Sequence, residues 1–406
     1  MKNIELDQQE KKEWGKEVFP LLSWFKSDKV KNARVMVVGA GALGNEVLKN
    51  LALFGVGNIM IIDFDTIEYS NLTRSILFRE SDADKGLFKA EVAAKRLKEI
   101  NPTINIQYII GRLATDVGLA IYRRMDVIIG CLDGNFARLQ LNRMCMRAGK
   151  PWIDGGIFDL SGTAKVFSPG RNCFECELTE SAKKVIFDTF PCGGYARRNE
   201  KEGRVATTPV IASIIGAIQV QEAMKLIHHE ELETGAFESL CGSWFSYDGL
   251  FLNAKRYKSE IFDDTCAAHE TWEPVVRIDG LSADTTIADA LEMIKEKLNV
   301  KKAVINLRND KFVDKIVTRT DNKRYFPKLP ESKIPDYIES VPAIFNCLQR
   351  DVEQNEIENI DNKFHYVEMT LKEIGIPHND IIQVTTEDGY VYVELYADAK
   401  MHVLNI

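Results

Sequence analysis

The sequence predicts an α/β fold with a mostly parallel sheet and a nucleotide-binding turn near its start, followed by a smaller α+β domain. Three observations predict it. A short apolar run, Arg34–Val38, leads through "GAGALG" into an amphipathic stretch and then into a second apolar run, "NIMIID". Two more short apolar runs follow, "NIQYII" and "DVIIG", with a helical stretch placed before them. Beyond Trp272-Glu273-Pro274 the pattern restarts as strand, helix and strand, and it ends in a hairpin.

Taken in order, residues 1–33 mix charges with a small apolar patch, "VFPLLSWF", and read as a helical lead-in. Arg34–Val38 is a buried strand by its valines. Leu43, Val47, Leu48, Leu51 and Phe54 recur at the spacing of one helical face over 42–54. A strand–helix–strand unit of this kind implies parallel pairing. Strands are expected at 105–110 and 126–130, and a helix over 89–100 that stops at Asn101-Pro102. Ile211, Ile214, Ile215 and Ile218 mark a further helix running to Ile227. In the last part, Ile287, Leu291, Ile294 and Leu298 form an apolar stripe, with Thr285 or Thr286 as its cap. Asp388-Gly389 is a hairpin turn. The expected division is a lead-in over 1–33, a nucleotide-binding domain over 34–271 and an α+β domain over 272–406.

Composition narrows the function. The 406 residues are 45% hydrophobic and 28% charged, with a net charge of −8. That length accommodates two or three domains with their own cores. Without a long basic stretch, no nucleic-acid footprint is expected. The start, "MKNIELDQQEKKEWGK", lacks the apolar centre of a secretion signal, and no run of 18 apolar residues suggests a membrane span. Eight cysteines in such a chain read as reduced thiols, metal ligands or a catalytic thiol. A cytoplasmic enzyme is the expectation. The neighbours His228 and His229 cannot share a helical face, so they read as helix-end residues rather than a metal pair.

Gly39-x-Gly41-x-x-Gly44 follows a strand and opens a helix, the context a phosphate-binding turn requires. The first two glycines let backbone amides approach a phosphate, and the third lets helix and strand pack closely. Asp63 ends the second strand, where an acid holds ribose hydroxyls. This much favours NAD. The following residues favour ATP instead. "SNLTR" sets Asn71 and Arg74 three apart, on one face of a short helix. Lys89 opens the next helix, and Asp133 follows the "DVIIG" strand, where a Mg²⁺ carboxylate belongs. A triphosphate undergoing attack needs cations and a metal, whereas a dinucleotide's pyrophosphate is served by amides.

The set GxGxxG, DxDxxxxSNLxR (Asp63 to Arg74), Lys89 and "CLDGNFARLQLN" resembles the ubiquitin-activating enzyme superfamily, which includes the adenylyltransferases of sulfur-carrier proteins. The resemblance continues through "CFEC" and "VIASIIGAIQVQEAMKLI" to "SYDGLFLNAKR" and spans about residues 34–270. It implies a Rossmann-like adenylation domain. ATP ribose would lie on Asp63, with Asp65 beside it in the motif. The phosphates would lie on Asn71, Arg74 and Lys89, and Mg²⁺ on Asp133. Arg138 and Asn142 resemble supporting residues. The implied reaction joins the C-terminal glycine of a ubiquitin-like carrier protein to AMP. Family homodimers usually place an arginine from the N-terminal arm in the neighbour's site, but residues 1–33 contain none. Either a lysine such as Lys11 or Lys12 substitutes, or another subunit supplies the charge, or the clamp is absent.

Cys173-x-x-Cys176 lies on a turn and needs a second pair to close a tetrahedral zinc site. The superfamily often supplies a second CxxC after the sheet, and here Cys266-Ala-Ala-His269 stands at that place, with Cys241 in reserve. A Cys₃His set suits Zn²⁺. Cys192, in "DTFPCGGYARRNEKEGRVATTP", stands in the crossover region where thioester-forming members carry their nucleophile. Arg197, Arg198 and Arg204 nearby would favour its thiolate. Cys131 and Cys145 read as core, and Cys347 carries no signal. The expected function is adenylation of a ubiquitin-like protein followed by a thioester on Cys192. A sulfur-carrier adenylyltransferase without a thioester, a non-catalytic partner subunit and an NAD-dependent oxidoreductase are the alternatives. A conjugating enzyme, recruited by residues 275–406, and a homodimeric or heterodimeric assembly are the expected partners.

Overall fold

In the computed structural model, Arg34–Val38 (β1) lies between Asn58–Ile62 (β2) and Val127–Gly130 (β4), parallel to both. The structure describes residues 15, 18–189, 207–259, 261–308, 310–319, 321–345 and 352–397. Asn105–Ile109 (β3) pairs outside β2, and Trp152–Phe158 (β5) pairs outside β4, both parallel. Ser161–Phe167 (β6), Ser243–Asp248 (β7) and Asn253–Lys258 (β8) then extend the sheet antiparallel, giving the order β3-β2-β1-β4-β5-β6-β7-β8. The α/β class with a mostly parallel sheet is thus what the chain adopts. Val38 sits level with both Ile62 and Gly130, so three strands release the chain at one height. The glycine turn after β1 and the loops after β2 and β4 hang from that edge.

The strands are apolar on both faces because both faces are covered. Val35, Val37, Ile59 and Ile61 point to one side, where Val47, Leu48 and Leu51 of the Ala42–Phe54 helix meet Val220, Ala223 and Met224 of the Pro209–Ile227 helix. Met36, Val38, Met60 and Ile62 point to the other, into a cluster with Tyr122, Leu141, Trp152, Phe167 and Trp272. The Pro209–Ile227 helix, 19 residues long, is apolar and long enough to cross a membrane, yet 56% of its most apolar window is buried inside the fold. Its buried Gln219 donates to the Gly130 and Ile153 carbonyls, and its buried Glu222 accepts from Leu240 N–H. These contacts make it a core helix.

His228 closes that helix. Its Nε2 accepts from the Lys26 N–H at 2.9 Å, so Nδ1 carries the proton and donates to the Met224 carbonyl at 2.7 Å. A ring with both nitrogens engaged in this way holds the lead-in against the helix end and leaves no lone pair for a metal.

After Trp272 the chain builds two smaller sheets. Val275–Ile278 (β9), Val304–Asn306 (β10), Asn359–Ile360 (β15), Ile381–Thr386 (β16) and Gly389–Leu395 (β17) form one, in the order β15-β10-β16-β17-β9. The other joins Phe312–Thr318 (β11) to Lys323–Tyr325 (β12), Leu329–Pro330 (β13) and Val352–Ile357 (β14). The Ile287–Leu298 helix, capped by the Thr286 hydroxyl, buries Ile287, Leu291 and Ile294 against the first of these. This part is not loosely tethered. Trp272 stacks on Tyr392 with ring centroids 5.0 Å apart, and Ile381 and Tyr392 belong to the same buried cluster as Met36 and Val38. Asp380 accepts the Leu119 N–H at 2.8 Å, and Arg124 pairs with Glu394 at 2.6 Å.

Candidate functional site

The glycine turn sits at the carboxyl end of β1, and its sequence follows from local crowding. Gly39 has φ +95°, and a Cβ there would meet the Cys131 carbonyl oxygen at 2.4 Å. A Cβ at Gly44 would meet the Gly39 carbonyl oxygen at 2.0 Å, so helix and turn touch through backbone alone. Gly41 faces open space. The helix that starts after it has no side-chain cap, which leaves its first N–H groups for an anion.

Sequence reasoning missed Asn45, which is fully buried. Its Nδ2 donates to the carbonyls of Ala40 and Gly41, at 2.7 and 3.0 Å, and its Oδ1 accepts the Leu77 N–H at 2.8 Å. One side chain therefore pins the glycine turn to the segment that carries Arg74. The available signal was an amide directly after the third glycine, inside an otherwise apolar helix face.

Asp63 completes the turn. Its Oδ2 accepts the Ala40 N–H at 2.6 Å, and its Oδ1 accepts the Asp65 N–H at 2.8 Å. Burial pushes its carboxyl above the ordinary carboxylate range, opposed by the Lys89 ammonium nearby. Lys89 is itself buried and places its ammonium on Asp65 at 2.7 Å, while its N–H donates to the Asp65 carbonyl. Asp63, Asp65 and Lys89 are thus one connected group beside the glycine turn.

Asn71 and Arg74 do not share a helix, contrary to expectation. The helical piece is a single 3₁₀ turn, Tyr69–Asn71, and Arg74 follows it. The Asn71 side chain accepts the Glu68 N–H, which caps the start of the turn, and the Arg74 guanidinium donates to the Ser70 carbonyl at 2.9 Å. Asp133 is exposed in the loop between β4 and the Asn135–Ala148 helix. Arg138, one turn into that helix, pairs with Asp154 at 2.9 Å and donates to the Leu132 carbonyl at 2.7 Å. It fixes the loop on which Asp133 rides.

At the other side of the sheet, the two halves of the Cys/His set meet. The ligand atoms of Cys173, Cys176, Cys266 and His269 all lie within 4.8 Å of one another. Cys173 and Cys176 sulfurs are 3.6 Å apart, Cys173 and Cys266 sulfurs 4.0 Å, and Cys176 Sγ is 3.2 Å from His269 Nε2. Two thiolates about 2.3 Å from a tetrahedral zinc stand roughly 3.8 Å from each other, so the residues present fit that metal. Burial pushes the Cys173 thiol up to about 12. Phe262 stacks on the His269 ring at 4.9 Å, and Arg143 forms a bidentate pair with Glu175 between the first two cysteines. Asn142, expected as a supporting residue, accepts the Trp152 Nε1–H and the Phe174 N–H and so lies against the turn that carries Cys173.

Cys145 is buried in the core, and Cys131 is half-buried under the glycine turn. Burial raises both thiols far above their ordinary range. Cys241 bridges Val166 at the sheet and stands outside the Cys/His cluster. Cys192, the arginines 197, 198 and 204, Cys347, and Lys11 and Lys12 lie outside the described residues.

Comparison with known proteins gives three findings. The model of the ThiF family matches residues 13–268. The chain is 30% identical to a molybdopterin-synthase adenylyltransferase of Haemophilus influenzae over 258 residues, 63% of this chain and 97% of that protein. It is 38% identical to SUMO-activating enzyme subunit 2 of Dictyostelium discoideum over 152 residues, 37% of this chain but only 23% of that protein's length. Among solved structures, E. coli MccB with ATP aligns with a TM-score of 0.48 at 24% identity, over 60% of this chain and 68% of that one.

Proposed function

The chain belongs to the ThiF family, and from that premise we propose that it uses ATP to adenylate the C-terminal carboxylate of a ubiquitin-like or sulfur-carrier protein. One observation carries the reading: the uncapped turn at Gly39–Gly44, the Asp63–Asp65–Lys89 group, Arg74 and Asp133 all follow strands that end at one height. A carboxylate oxygen of the carrier attacks the α-phosphorus of ATP. The bond from that phosphorus to the bridging oxygen breaks, and pyrophosphate leaves with the electron pair. Asp63 would hold the ribose, the amides after Gly41 would cradle phosphate, and Arg74 would balance charge that develops on the transferring phosphoryl oxygens. Asp133, exposed and free to face a triphosphate, would hold Mg²⁺, which neutralises charge on the phosphates.

The fuller reading adds a second step. The Cys192 thiolate attacks the acyl-adenylate, AMP leaves, and the carrier is held as a thioester. Residues 272–406 would then receive a conjugating enzyme, and a second subunit would complete the assembly. The likeness to a subunit that activates SUMO supports this, and the likeness to a molybdopterin-synthase adenylyltransferase supports the form without a thioester. Zinc on Cys173, Cys176, Cys266 and His269 would tie the β6–β7 connection to the domain's end in either case.

The test is ATP–pyrophosphate exchange with a panel of ubiquitin-like and sulfur-carrier proteins, followed by a non-reducing gel. Exchange that depends on one carrier supports adenylation. No exchange with any carrier, together with tight NAD binding, would overturn it.

A further inference from the structure

The Asn142 side chain has an orientation that the structure fixes without ambiguity. Trp152 Nε1 and the Phe174 N–H both converge on one of its terminal atoms, at 3.2 and 3.0 Å. Indole and peptide nitrogens only donate, so that atom is the oxygen, and the other is the amide nitrogen. Asn142 has no solvent exposure, and its Nδ2 makes no hydrogen bond to any oxygen or nitrogen. An unmatched buried N–H pair is costly, and native folds rarely leave one. The Phe174 N–H that its oxygen accepts belongs to the residue directly after Cys173, so the unpartnered Nδ2 lies at the turn that carries the Cys173 sulfur.

We propose that Asn142 is a positioning residue of the metal centre, its amide donating an N–H···S hydrogen bond to the Cys173 sulfur when that sulfur is a metal-bound thiolate. This rests on the reading of Cys173, Cys176, Cys266 and His269 as zinc ligands. The same amide oxygen holds the N–H of Phe174, the residue directly after Cys173, so Asn142 fixes both the sulfur's charge environment and the turn that aims it. Cys173 is the most buried of the four ligands, with no water to solvate its sulfur. A thiolate there needs protein donors, and the Asn142 Nδ2 is a buried N–H group with no other partner. Hydrogen-bond donors behind ligands of this kind typically change metal affinity by about 10–100-fold.

The experiment compares wild-type protein with Asn142→Asp and Asn142→Ala, using zinc and cobalt alone as probes. N142D keeps the oxygen that Trp152 and Phe174 require but replaces the donor with a carboxylate oxygen. N142A removes the amide without adding charge. Zinc affinity, read by chelator competition, is expected to fall at least about tenfold in N142D and less in N142A. In the cobalt-loaded protein, the thiolate-to-metal charge-transfer band is expected at longer wavelength in both variants, because a sulfur freed of a hydrogen bond gives up its electrons more readily. Equal affinity and an unmoved band in both variants would overturn the role of Asn142. A variant that fails to fold under saturating zinc would also count against it, as the sign of a general packing role. Wild-type protein that binds neither metal would instead overturn the metal reading itself.

Discussion

Arg138 and Asp154 form an ion pair at 2.9 Å directly behind the loop that carries Asp133, and Arg138 also holds the carbonyl of Leu132. Both side chains are largely shielded from water, at 14% and 10% exposure. Removing one partner leaves the other charge buried without compensation, which costs on the order of 3 kcal/mol. Asp154→Asn is expected to lower the unfolding free energy by about that amount in urea titrations. It should also loosen the Asp133 loop and slow exchange. A variant as stable as wild type would show that solvent already screens the pair.

Asp133 offers the opposite separation of stability from activity. It is exposed, so Asp133→Ala should leave the thermal midpoint within a degree or two of wild type. Exchange should nonetheless fall by about 10²-fold or more, and Arg74→Ala should do the same. Full exchange in Asp133→Ala would remove the metal assignment at this residue.

Cys192 separates the one-step enzyme from the two-step enzyme. Adenylate formation uses phosphate ligands only, so Cys192→Ala should retain exchange. It should lose the carrier adduct that reductant cleaves on a gel. Wild-type protein that adenylates a carrier but shows no such adduct would leave the adenylyltransferase reading alone standing.

The seam between the two parts should respond to pH through Asp380. Burial raises its carboxyl to about 6, against the opposing N–H groups of Leu119 and Ile381 and the charge of Arg147. The folded state therefore keeps its proton after the unfolded chain, with a carboxyl near 3.9, has lost it. Stability from this group is full below about pH 4 and is lost as pH rises to about 6. Asp380→Asn cannot ionise, so the gap in unfolding free energy between variant and wild type should move in the variant's favour across that window. The size is of the order of 3 kcal/mol at most. A gap that stays constant from pH 4 to 6.5 would show that Asp380 titrates normally.

How much of this was legible in the sequence depends on the range of the contacts involved. The parallel core strands announce themselves because Val35–Val38 and Ile59–Ile62 are buried on both faces, which forces continuous apolar runs. Gly44 is legible because its crowding against the Gly39 carbonyl is local, whereas Gly39 is crowded by Cys131 from the end of a neighbouring strand. Strand β8 is less legible: it is exposed along its whole length, so "NAKRYK" carries no apolar signal, and it is held by pairing to β7, by Tyr257 stacked on Trp244 and by Arg256 on Glu238 and Ser239. The helical piece before Arg74 is a single 3₁₀ turn in which Asn71 bonds back to the N-cap Glu68, a capping geometry that three-residue spacing does not reveal. The two halves of the Cys/His set were readable from spacing within each half. What Asn142 supports was not legible, because its partners, Trp152 and Phe174, are far from it in sequence and are brought to it by the fold.

The stack of Trp272 on Tyr392 bears on how such a chain can be inherited. A seam of two stacked rings, with Ile381 sunk into the same interior as Met36, is a shared core and not a hinge between cassettes. Recombination that exchanged everything beyond residue 273 would leave a hole in the sheet's far side unless the newcomer refilled it. Any exchange of the second part must therefore refill that volume, each part constraining what the other is allowed to change.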